Sequence, residues 1–313
     1  MRAARVGGTR KEVPMPNVII IGSGPAGVSA SLYTARAGLA TTVLTMGPGA
    51  LRRAERIQNY YGFSEPISGD ELERRGIEGA RAVGVQFVQA EAVGLTFTDK
   101  LTVETLAGEF PADAVILATG ASRAAPRIPG LAALEGHGVS YCAVCDAFFY
   151  RGKDVAILGS GEYALHEAAA LLPLARSVTL LTGGAPLAAQ FPPEVAVRTE
   201  AVEAILGEDE GRVTGVRLAG GAVLPAAGVF VAQGVAGSTA LARKIGAALD
   251  DTGTHIAVDA QMQTTVPGLY AVGDCTGGLL QVAKAVYEGA LAGSEVAKAL
   301  RKAQQTKGGA TQA

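Results

Sequence analysis

The feature that most restricts this chain is a strand–glycine turn–helix unit that occurs twice. Val18–Ile21 is a short, wholly apolar run leading into Gly22-Ser23-Gly24-Pro25-Ala26-Gly27. The Ala-rich segment after it reads as a helix to about Ala37, closed by Gly38. About 137 residues later, Val155–Leu158 leads into Gly159-Ser160-Gly161, and Glu162–Leu172 reads as a helix ended by Pro173. Val43–Leu44, Val115–Ala118, Val178–Leu181 and Leu269–Val272 add further short strands. Such runs alternating with longer helical segments indicate an α/β fold with mostly parallel sheets. Two turns so far apart indicate two nucleotide-binding-type (Rossmann-like) domains rather than one large one. A last helix is expected from about Gln281 to Leu300, with a frayed polar tail after Lys302.

The first turn fits G-x-G-x-x-G between a strand and a helix. Gly22 allows the tight turn, Gly24 lets the backbone approach a pyrophosphate, and Gly27 lets the helix pack close to the strand. The helix that begins at Pro25 and Ala26 offers free N–H groups and a partial positive charge to the phosphates. An acidic residue is expected about 20 positions on, to hold a ribose hydroxyl. Here the strand ends Thr45-Met46-Gly47, so a hydroxyl stands where a carboxylate is usual.

Of the 313 residues 49% are apolar, enough for sizeable cores. The formal net charge of −2 gives no pull toward nucleic acid or a membrane surface. No apolar run approaches the roughly 20 residues that span a bilayer. Arg2, Arg5, Arg10 and Lys11 precede the first strand without the apolar run of a secretory signal. Residues 1–14 read as a disordered lead or an over-extended start, Met15 then being the true first residue. Three cysteines, two of them spaced C-x-x-C, suit a cytoplasmic redox protein better than a disulfide scaffold.

Those two lie in Ser140-Tyr141-Cys142-Ala143-Val144-Cys145-Asp146. Thiols at this spacing can close a disulfide and pass it to another protein by thiolate exchange. Asp146 could protonate a leaving thiolate, or could serve as a helix cap. No metal site is expected. Zinc needs about four ligands, and beyond the pair only Cys275 and the scattered His137, His166 and His255 remain. Cys275 reads as a small buried hydrophobe, and His166 as a structural residue within a helix.

The Gly22–Gly27 turn, Ala118-Thr119-Gly120, Ser140–Asp146 with Phe148-Phe149-Tyr150-Arg151, and the run Val266–Asp274 together resemble the low-molecular-weight thioredoxin reductases, over about residues 16–300. The resemblance implies a homodimer whose FAD domain is discontinuous (15–121 and 243–302). A smaller NADPH-type domain (122–242) carrying the C-x-x-C interrupts it, and a tail (303–313) follows. It implies FAD at Gly22–Gly27, near Thr45, Asn59, Thr119 and Gly120, and again at Gly273, Asp274, Gln281 and Val282. It also implies Cys145 as the thiol nearer the flavin, Cys142 as the thiol that exchanges with a thioredoxin-like protein, and Asp146 as proton donor.

The second turn departs from the members that use NADPH. Those carry a basic cluster after the second strand, and here the strand ends Leu181-Thr182-Gly183-Gly184-Ala185-Pro186. No basic residue occurs from Ser177 through Val197, and Arg198 is the first to return. Losing two charge-assisted bonds costs on the order of 3 kcal/mol, about a hundredfold in affinity. No Asp or Glu ends that strand to favour NAD instead. Tyr163 either brings a bulky ring to the turn where a pyrophosphate would approach or is a surface tyrosine on the first helical turn. Gln58-Asn59-Tyr60-Tyr61-Gly62-Phe63 and Glu162–Glu167 are similar to ferredoxin-dependent flavin thioredoxin reductases. Tyr287 stands where common NADPH-dependent members have Gly, and is expected to pack on or beside the flavin, or else to be a core or dimer-interface tyrosine. The expected activity is reduction of a thioredoxin-like disulfide with electrons from a ferredoxin-like carrier. An NADPH-dependent reductase, a dithiol oxidase and a flavin-binding redox sensor are the alternatives.

Overall fold

The computed structural model describes residues 15–47, 49–120, 127–141, 143–208, 211–233 and 238–310, and only the backbone of Arg53, Val144, Cys145 and 307–310. The first apolar run forms β1 (Asn17–Ile21), followed by α1 (Pro25–Arg36) and β2 (Ala40–Thr45). Next comes α2 (Gly69–Ala82), whose N-terminus is capped by the Ser68 hydroxyl accepting the Glu71 N–H. Then follow β3 (Gln86–Gln89), β4 (Gly94–Phe97), β5 (Leu101–Thr105), β6 (Gly108–Ala112) and β7 (Ala114–Leu117).

The chain now leaves this sheet. It builds β8 (Val139–Ser140), α3 (Ala143–Asp146), β9 (Asp154–Gly159), α4 (Glu162–Leu171), β10 (Ser177–Leu181) and β11 (Val195–Arg198). β12 (Val202–Gly207), β13 (Val213–Leu218), β14 (Val223–Pro225) and β15 (Gly228–Ala232) complete the insertion, and α5 (Ser238–Lys244) carries the chain back onto β4. β16 (Leu269–Ala271) and the long α6 (Val282–Ala310) return to the first sheet.

Two five-stranded parallel sheets result, ordered β16-β7-β1-β2-β3 and β11-β10-β9-β15-β8. The first is therefore discontinuous in sequence and interrupted by the second. Each lobe also carries an antiparallel three-stranded meander, β4-β5-β6 or β12-β13-β14, that the sequence reading did not anticipate. These strands are short and only alternately buried, so they lack the continuous apolar run that marks the parallel strands.

Burial explains why β1 is apolar throughout. Val18 and Ile20 face one cluster with α1 and α6, while Ile19 and Ile21 face another on the opposite side. That second cluster runs from Leu44 and Leu117 of the first sheet through Val93 and Leu95 to Ala143, Ile157 and Phe230 of the second lobe. The two lobes thus share apolar packing at their boundary.

α1 and α6 cross closely. A Cβ at Gly289 would overlap the Ala26 carbonyl, one at Gly293 would lie 2.6 Å from the Ala30 carbonyl, and Ser29 Oγ donates to the Val286 carbonyl at 2.7 Å. α6 extends to Ala310, beyond the expected end at Leu300 and through most of the expected frayed tail. Lys302, Ala303, Gln304 and Gln305 are good helix formers and give the backbone no reason to stop.

Candidate active site

The first glycine turn lies between β1 and α1. Gly22 has φ +113°, and a Cβ there would overlap the Ala118 carbonyl. A Cβ at Gly27 would overlap the Gly22 carbonyl. Gly24 faces open space, with nothing within 4 Å of an added Cβ. α1 has Gly24 at its N-cap and Pro25 in its first turn, with no side-chain cap and no acidic residue there. The Ala26 and Gly27 N–H groups precede the first intrahelical bond, from Val28 N to Gly24 O at 3.0 Å. Ser23 Oγ and Thr45 Oγ1 share a 2.7 Å hydrogen bond, so the hydroxyl that ends β2 sits against the turn.

Residues far apart in sequence gather around this turn. Gly273 (φ +79°) approaches Ala26 so closely that its Cβ would lie 2.9 Å from the alanine methyl. The Gly273 N–H donates to Glu288 Oε2 at 2.8 Å. Lys284 Nζ donates to the Gly273 carbonyl at 2.9 Å and pairs with Glu288 at 3.1 Å. This lattice holds the Gly273-Asp274 segment at the start of α6, where Val282 is the first residue. Asn59 Nδ2 donates to Gln281 Oε1 at 2.9 Å, joining two expected site residues 222 positions apart. Thr119 Oγ1 accepts the Ser238 N–H at 2.9 Å and bonds the Ser238 hydroxyl, and Gly120 follows with φ +78°. Tyr287 is 63% exposed, which removes the core reading of this tyrosine. Neither the Glu288–Lys284 lattice nor Ser238 was found in the sequence, because neither forms part of a short motif.

The cysteine segment belongs to the second lobe. Cys142 lies outside the described residues, and Cys145 is placed by its backbone within α3. Both neighbours of Cys142 are tied to α4. The Tyr163 hydroxyl donates to the Tyr141 carbonyl at 2.7 Å, and the Ala143 N–H donates to Glu167 Oε2. Asp146 accepts from Ser140 Oγ at 2.7 Å and caps no helix with its side chain. Phe148 and Phe149, just beyond it, are exposed. Cys275 is fully buried, and burial pushes its thiol up to about 11, so it remains a protonated, inert thiol at neutral pH. Burial and the Lys244 ammonium push the His166 imidazole down to about 4, leaving it neutral.

The second glycine turn repeats the first with different chemistry. A Cβ at Gly159 would overlap the Ala232 carbonyl, as one at Gly22 overlaps Ala118, and Gly161 is open like Gly24. Yet Glu162 stands in the first turn of α4, where α1 has no acid. A carboxylate there favours the helix but opposes an incoming phosphate. The segment after β10 folds back so that the Ala188 N–H donates to the Ser160 carbonyl at 2.8 Å. Arg198, at the end of β11, aligns with Leu181 at the end of β10. Its guanidinium is engaged by Glu200, with Nε 3.0 Å from Oε1. Tyr163 corrects both of its expected placements. Its ring is 2% exposed and turned inward beneath Lys244, 4.9 Å from Nζ, so it neither fills the turn nor lies on the surface. The second residue of α4 faces the sheet, and an aromatic there gains more from burial than from solvent.

Comparison with known proteins gives consistent matches. The pyridine nucleotide-disulphide oxidoreductase family model matches residues 16–289. A thioredoxin reductase of Aquifex aeolicus is 35% identical over 276 residues, covering 82% of this chain and 84% of that protein. The atypical thioredoxin reductase TRi from Desulfovibrio vulgaris Hildenborough superposes with a TM-score of 0.85 at 38% identity, covering 92% of this chain and 99% of that one. A ferredoxin-flavin thioredoxin reductase from Clostridium acetobutylicum gives 0.71 at 31% identity, covering 92% and 99%.

Proposed function

The chain belongs to the pyridine nucleotide-disulphide oxidoreductase family and, within it, to the thioredoxin reductases, and from that premise we propose that it reduces a thioredoxin-like disulfide through Cys142 and Cys145 with electrons that do not come from NADPH. It is a flavin disulfide reductase of the thioredoxin reductase type. The finer assignments concern the cofactor, the site residues and the donor.

FAD fits the first turn. A diphosphate needs an uncapped helix end, no competing carboxylate and a backbone it can touch, and Gly24, Ala26 and Gly27 offer all three. Thr45 would meet the ribose, and Asn59, Thr119, Gly120, Asp274, Gln281 and Val282 would line the remainder. Bound there, FAD would supply the store that joins a one-electron donor to a two-electron disulfide. The rest is sulfur chemistry performed by the chain. The Cys142 thiolate attacks the partner's disulfide, one partner sulfur leaves, and Asp146 supplies its proton. Cys145 then attacks Cys142 Sγ, which re-forms the internal disulfide and releases the second partner thiol. Two electrons and two protons pass to the partner in each cycle.

The observation that carries the donor assignment is the second turn. Its helix end bears Glu162, its Ser160 carbonyl is bonded by Ala188, and Arg198 is held by Glu200. A 2′-phosphate would have to displace that carboxylate. The donor proposed is a small one-electron carrier of the ferredoxin kind, in keeping with the Clostridium acetobutylicum neighbour. Arg198 beside the end of β10 favours NADPH as the second reading. Anaerobic mixing with NADPH or NADH separates the two. The flavin band should persist with micromolar nucleotide and bleach with reduced ferredoxin, and rapid bleaching by NADPH would overturn the donor assignment.

A further inference from the structure

Away from the two glycine turns, one group among the described residues stands out, a buried ion pair at the boundary of the lobes. Lys244 ends α5, which packs on β4 and is fastened to the end of β7 through Ser238 and Thr119. Its Nζ donates to Glu167 Oε1 at 2.6 Å and to the Val93 carbonyl at 3.0 Å. The two side chains are 4% and 1% exposed. Glu167 lies on α4 of the inserted lobe, and its second oxygen accepts the N–H of Ala143, the residue after Cys142.

Burying such a pair adds little stability compared with two apolar side chains of the same size. What it supplies is connection. One ammonium binds the backbone of the first lobe and the carboxylate of the second, and that carboxylate holds the cysteine turn. Tyr163, beneath the ammonium, holds the other side of the same turn through the Tyr141 carbonyl. Ala143 is fully buried in the apolar cluster that the two lobes share, so parting the lobes would open that cluster beside the start of α3. The polar contact that must yield is the ion pair between Lys244 and Glu167, which water can replace, while the bond to the Val93 carbonyl stays within the first lobe.

We infer that Glu167 and Lys244 are positioning residues, an interlobe clasp that holds the start of α3, at Ala143, against the first lobe and releases it to the partner protein. The role rests on reading Cys142 and Cys145 as the redox pair.

The test compares the parent holoenzyme with Glu167→Gln/Lys244→Met. Gln still accepts the Ala143 N–H, and Met fills the lysine channel without a charge, so no buried ion is stranded. After anaerobic reduction, the cysteines are labelled with iodoacetamide or with a 5-kDa polyethylene-glycol maleimide, and amide exchange is followed over residues 90–97 and 139–150. The double variant should melt within a few degrees of the parent. It should react about tenfold faster with the bulky reagent but less than threefold faster with the small one, and exchange faster in both segments. Unchanged bulky-reagent labelling and exchange would overturn the clasp. So would equal acceleration by both reagents with a large fall in melting temperature, which marks a merely structural pair. None of these readings needs turnover, so a failure to reduce thioredoxin would sink the proposed function separately.

Discussion

Gly22 illustrates how much a single residue can decide. Its positive φ and its contact with the Ala118 carbonyl leave room for no other side chain, and the motif was readable because that demand is local. The cysteines are proposed as the redox pair on a similarly local ground: C-x-x-C spacing carries its chemistry within four residues. Replacing Cys142 with Ser should abolish reduction of a thioredoxin disulfide while leaving the flavin content unchanged, because the first glycine turn belongs to the other sheet. Flavin absorbance per chain and a thioredoxin turnover assay check the two halves, and retained turnover would refute the thiol mechanism. Tyr163 was misread because a tyrosine one residue into a helix carries no sign of which way it faces. Only the packing of α4 on its sheet turned it inward.

At the scale of elements, the seam between α1 and α6 is set by small residues. A methyl at position 289 would strike the Ala26 carbonyl, which is backbone and cannot swing aside. Gly289→Ala should therefore cost about 1–3 kcal/mol, the usual range for overpacking. It should also weaken flavin retention, since α6 carries the Glu288 carboxylate that fixes Gly273. Thermal melts with and without added FAD would register both effects. The starts of α1 and α4 form a second comparison, with one end free of acid and the other bearing Glu162. If charge is what bars a pyridine nucleotide, Glu162→Gln with Glu200→Ala should tighten NADPH binding by about tenfold, or ~1.4 kcal/mol. A fluorescence titration that finds no change would shift the cause to the fold-back at Ala188.

On the scale of the whole molecule, the surface near the first lobe's site is conspicuously apolar. Tyr61 is 99% exposed, and Leu279, Leu280 and Tyr287 are exposed as well. The Asn59–Gln281 bond brings the segments carrying three of them together. Patches of this kind mark cofactor or protein contacts. The homodimer that the sequence resemblance implies should sediment at twice the mass of the chain at micromolar concentration, and a monomer there would overturn that expectation. No described helix is long and apolar enough to cross a membrane.

Read alone, the sequence determined the α/β class and the two glycine turns, because each rests on residues adjacent in the chain, and it supplied the C-x-x-C spacing on which the proposed redox pair rests; the insertion of one lobe into the other came from the family resemblance. Tertiary structure decided what long-range pairing controls. It set Arg198 beside β10 but in the grip of Glu200, joined Asn59 to Gln281, and buried Glu167 against Lys244, 77 residues away. Such partners share no periodicity and no short spacing, so nothing in the linear pattern marks them until the sheets bring them into contact.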